Sequence, residues 1–115
     1  MSKKQIAETK TPEQAAVAYV KPGECPANMS TLDYLSAWRA AVKLLAAIDA
    51  GYLVEYLERS DTPYALIAKT AEQVAQGTAA LAYVNGLVEA EVERLYQEGR
   101  EARNEFDIVL AEVRG

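Results

Sequence analysis

Apolar side chains recur at steps of three and four along most of this chain, the spacing of helices that bury one face. Thr11-Pro12-Glu13-Gln14 supplies an N-cap hydroxyl, a proline at the first helical position and a glutamine three residues after the cap, which together predict a short helix to about Val20. Lys21-Pro22-Gly23 stops it, and the run to Met29, with two prolines and a glycine, predicts an ordered loop or extended strap. Ser30 or Thr31 can cap a second helix, with Asp33 in its first turn, where a negative charge suits the helix dipole. Leu35, Trp38, Val42, Leu45, Ile48, Tyr52 and Tyr56 then form one stripe over about residues 31–59, in phase across Gly51. Ser60-Asp61-Thr62-Pro63 ends that helix, and Asp61 or Thr62 can cap the next.

The third segment carries a heptad. From Ile67 the d positions are Ile67, Val74, Leu81, Val88, Leu95, Ala102 and Val109, and the a positions Ala71, Thr78, Asn85, Val92, Gly99, Phe106 and Val113. Asn85-Gly86 interrupts the pattern's chemistry. A buried Asn at an a position sets register and oligomer state, whereas Asn-Gly also suits a kink or turn, and both readings stand at this point. From Ala65 to Leu87 small residues, Gly77 among them, allow close backbone approach and burial between helices. Beyond Glu89 the stripe narrows and acids flank it.

Length then becomes informative. A second helix of about 29 residues spans roughly 43 Å, so folded back as a hairpin it covers a similar length of the third and leaves residues beyond about 90 overhanging. The expected fold is all-α: a short N-terminal helix, a helical hairpin (about 31–59 and 63–88), and a last helix extended to about 114 as a heptad-patterned, oligomerising segment. In domain terms residues 1–10 form a flexible basic tail and 11–115 one helical domain, with 90–114 overhanging. The surface expected to join copies comprises Val88, Val92, Leu95, Tyr96, Phe106, Val109, Leu110 and Val113.

Composition narrows the chemistry. The 115 residues are half apolar or tyrosine, enough for one core, and contain no histidine and one cysteine. Imidazole catalysis, zinc fingers and carboxylate-histidine di-iron centres are therefore excluded. The scattered glycines form no phosphate-cradling loop. Glu91, Glu98, Glu105 and Glu112 recur every seventh residue at g and read as a solvated flank rather than a cation ladder. Cys25 has only Lys21 nearby to activate it and reads as an inert thiol. No catalytic residue, metal ligand or cofactor is expected.

The formal charge of −5 is uneven, with five bases against ten acids in residues 61–115. Nucleic-acid and membrane partners are not expected. The amino-terminal residues do not read as a secretory leader, and a cytoplasmic setting, or incorporation into a particle assembled inside a cell, is expected. The function that fits is a non-enzymatic oligomer that binds itself and another protein: a structural part of a larger assembly such as a viral particle, or a small inhibitor or adaptor. Tyr52, Tyr56 and Tyr64 are candidate partner contacts. Two alternatives remain. One is a small DNA-binding regulator using Lys3, Lys4, Lys10, Lys21, Arg39 and Lys43; the other is a ligand-sequestering protein with a Tyr/Trp-lined pocket between the second and third helices.

Overall fold

The computed structural model describes residues 10–114, so all but the last residue of the expected basic tail lies outside the described residues. The fold is all-α, with α1 at Pro12–Tyr19, α2 at Thr31–Glu58 and α3 at Tyr64–Arg114. Local chemistry explains the ends. Thr11 and Gln14 form a reciprocal capping box, and the Ser30 hydroxyl accepts from the Asp33 amide at 3.1 Å. At α3 the expected side-chain cap is replaced: the Pro63 carbonyl accepts from the Leu66 and Ile67 amides, and the helix begins one residue after the proline.

The proline-rich connection is a strap held against α2. Tyr34 donates its hydroxyl to the Gly23 carbonyl at 2.6 Å, and the Trp38 indole donates to the Val20 carbonyl at 2.7 Å. Gly23 sits at φ +72°, which its lack of a Cβ allows at no steric cost.

α2 runs back along α3, and α1 also packs on α3. Ala16, Trp38, Val42, Ala80 and Val84 form the buried cluster, with Trp38 meeting the Tyr83 ring edge-on at 6.4 Å. The α3 face that enters this core departs from the heptad frame. Thr70, Gly77, Ala80, Val84 and Val88 are buried, whereas Ala71 and Thr78, at a positions, are exposed. Volume explains the rotation: two helices approach α3 from one side, and the bulk of Tyr19 and Trp38 is accommodated where α3 offers Gly77 and Ala80. Thr70 is compatible with burial because its hydroxyl donates to the Leu66 carbonyl at 2.8 Å. α3 runs unbroken through Asn85-Gly86 and Gly99, and neither glycine has a positive φ, so the kinked alternative is set aside.

Two pairings set the hairpin register. Trp38 lies beside Tyr83, and the Ala46 methyl lies beside Gly77. Continuing the same antiparallel register places Thr31, the first residue of α2, level with residue 90 of α3. Beyond it α3 projects alone, and the molecule measures 80 × 37 × 22 Å.

Candidate functional site

The projecting segment, residues 91–114, carries a long run of exposed apolar side chains. Val92, Leu95, Tyr96, Val109, Phe106 (64 % exposed) and Val113 (78 % exposed) all face solvent, and Leu110 is half-buried. Val88, expected to belong to the same surface, is only 6 % exposed and forms part of the intrachain core, because α2 still reaches its level. Steps of 4, 7, 7, 4, 3 and 4 residues lead from Val84 through Val88, Leu95, Ala102, Phe106 and Val109 to Val113. At 3.6 residues per turn these positions share one side of the helix. The open seam is thus a direct continuation of the face that α1 and α2 cover.

Its acidic border is ordered by one guanidinium. Arg94 donates to both carboxylate oxygens of Glu91 and also to Glu98, tying together two of the four g-position glutamates. The hydrogen bonds from Arg94, aided by its charge and opposed by some desolvation, hold the Glu91 carboxyl below its usual range. On the opposite border the Arg100 guanidinium lies 6.0 Å from the Tyr96 ring centroid.

A second exposed patch lies at the hairpin turn. Tyr64 is 83 % exposed, Tyr52 and Tyr56 stack with centroids 6.1 Å apart, and Val54, Leu57 and Leu66 are also open. The three tyrosines read as partner contacts from sequence are therefore near one end of the hairpin, far along the long axis from the seam.

The expected aromatic pocket between α2 and α3 takes another form. Trp38 closes into the core, and its outer edge lines, with Tyr34, Pro22 and Met29, a recess of about 290 Å³ beneath the strap. A second cleft of about 410 Å³ lies between α1, α2 and α3, bordered by Lys10, Tyr19, Asp49, Gln73 and Gln76. There the Tyr19 hydroxyl donates to Asp49 at 2.5 Å. Desolvation, then that hydrogen bond and the carboxylate charge, raise the Tyr19 phenol well above its ordinary value. Sequence patterning missed this pair because residues 30 apart on different helices carry no periodic signal.

Of the basic residues weighed for DNA, Lys10 borders the cleft beside Asp49, Lys21 borders the strap recess, and Arg39 and Lys43 lie one turn apart on α2. Lys3 and Lys4 lie outside the described residues. Cys25 is exposed and donates weakly to the Pro26 and Met29 carbonyls at 3.6 and 3.7 Å.

No family model, curated protein or solved structure matches this chain. Among the described residues no helix is long and apolar enough to cross a membrane, and no cluster of three or more His, Cys, Asp or Glu side chains is placed to hold a metal ion.

Proposed function

We propose that this protein is a non-enzymatic, self-associating helical protein that works by binding other proteins, as a structural part of a larger assembly or as a small inhibitor or adaptor. The observation that carries the reading is the bare continuation of the core-facing side of α3 over residues 91–114. Exposed contiguous apolar surface of this kind on a small protein marks an interaction site, because a dispersed monomer gains nothing by keeping it in water. The acidic border keeps the free chain soluble and disfavours nonspecific collapse. The tyrosine-rich patch at the other end of the hairpin supplies a separate surface of aromatic, amphipathic contacts for a different protein partner.

Solution mass tests the reading. Sedimentation equilibrium or light scattering at tens of micromolar is expected to give an oligomer. A helical, folded chain that stays monomeric at that concentration would refute self-association.

A further inference from the structure

We infer that the occupant of the open seam is a second copy of residues 91–114 running antiparallel, so that two hairpins stand at opposite ends of a shared two-helix rod. The inference rests on the self-association proposed above and specifies its geometry.

Steric exclusion supports it first. The seam lies on the same side of α3 as α2, and α3 is one unbroken helix from Tyr64 to Arg114. Two copies meeting parallel through residues 91–114 would each hold an α2 between their α3 helices over residues 64–90. Seam contact needs helix axes about 8–10 Å apart, whereas two intervening helices require roughly 30 Å. An unbroken helix cannot satisfy both. Antiparallel copies carry their hairpins to opposite ends and meet no such obstacle.

Volume matching supports it independently. In parallel register Gly99 would face Gly99 of the second copy and Ala102 would face Ala102, leaving a void, while Phe106 would crowd Phe106. An antiparallel register that pairs a with d sets Leu95 against the partner's Val113, Gly99 against the partner's Val109 and Ala102 against the partner's Phe106. Each small residue then receives a large one, as close packing requires. In this register Arg114 lies level with residue 94 of the other chain. Its end therefore stops about one turn short of the level of Thr31, and the two projecting segments fill each other's bare face. Judged from the exposure of the seam residues, the pair buries about 1,200 Å², at the lower edge for a stable interface.

The flanks provide the test. Antiparallel pairing brings g against g, and in this register Glu112 comes level, to within half a turn, with Glu98 of the second copy; parallel pairing would hold the two about 20 Å apart along the rod. Glu112→Lys exchanges two like-charge contacts for two opposite-charge contacts in the antiparallel dimer and is expected to tighten its dissociation constant about fivefold. Glu112 is exposed in the single chain, so the substitution leaves the fold intact. The second measurement is a pulsed dipolar distance between nitroxides attached to Arg114→Cys in a Cys25→Ser background. The antiparallel pair separates the labels by about 30 Å along the rod, whereas a parallel pair brings them within about 15 Å. A dimer with the short distance, or one that Glu112→Lys leaves unchanged, overturns the antiparallel geometry while self-association stands. A chain that remains monomeric overturns both.

Discussion

Gly77→Ala adds one methyl at the most crowded point of α3, and its effect can be worked out from three contacts. The new Cβ would lie 2.6 Å from the Tyr19 hydroxyl oxygen, 2.9 Å from Cζ of the same ring and 3.1 Å from the Ala46 Cβ. Swinging the Tyr19 ring clears the first two contacts but breaks the 2.5 Å hydrogen bond to Asp49, a loss of about 1 kcal/mol for a half-buried pair. The Ala46 methyl cannot swing, because it is fixed to the α2 backbone, so α2 must also yield by a few tenths of an ångström. Overpacking of this kind costs about 1–3 kcal/mol, against which alanine gains up to about 1 kcal/mol over glycine in helix propensity. The net expectation is a loss of about 1–3 kcal/mol, or roughly 4–10 °C in melting temperature for a domain of this size. Gly86→Ala is the internal control. Apart from its chain neighbours and the backbone of its own helical turns, no atom lies within 4 Å of its Cβ position, so it should keep the propensity gain and melt at or above the parent. Thermal melts followed by circular dichroism at one fixed protein concentration measure both, since association makes the midpoint concentration-dependent. Tyr19→Ala removes two of the three contacts, so the penalty of Gly77→Ala should shrink by about 1–2 kcal/mol on that background. A Gly77→Ala protein as stable as the parent, or an unchanged penalty in the double variant, would refute the account of α3 packing given above.

Tyr19→Phe should change the alkaline limb of stability. The folded pKa of Tyr19 is raised above the ordinary phenol value of 10.0, so its contribution is complete below pH 10 and is lost as pH rises through the folded value. Denaturant midpoints for the parent should therefore fall more steeply above pH 10 than those for Tyr19→Phe, and parallel curves would count against the Tyr19–Asp49 assignment. Trp38→Ala and Phe106→Asp should separate folding from association. Trp38 is 7 % exposed and donates to the strap, so its truncation should remove about 3–5 kcal/mol and unfold the hairpin. Phe106→Asp should lower the solution mass and leave the hairpin helical, and a common global unfolding of both variants would show that the seam is part of the folding core.

The helices were legible from local chemistry. Thr11 and Ser30 mark two helix starts through caps that involve neighbours three residues away, and Pro22 and Gly23 mark an end through backbone geometry. The overhang was also legible, because it follows from length: 28 residues of α2 cannot cover 51 residues of α3. What the heptad did not determine was the buried face of the hairpin. Periodicity ranks positions by hydrophobicity and favours Ala71 and Thr78, yet Thr70 and Gly77 enter the core. That choice depends on volume at a three-helix junction, where Tyr19 and Ala46 meet α3 at one level. Likewise the Trp38 and Tyr34 bonds to the strap, and the Tyr19–Asp49 pair, join residues 11 to 30 apart whose contact exists only once the helices are packed. Local interactions and lengths are properties of the chain, but the fit between side chains of different helices is a property of their assembly, and only the tertiary structure decides it.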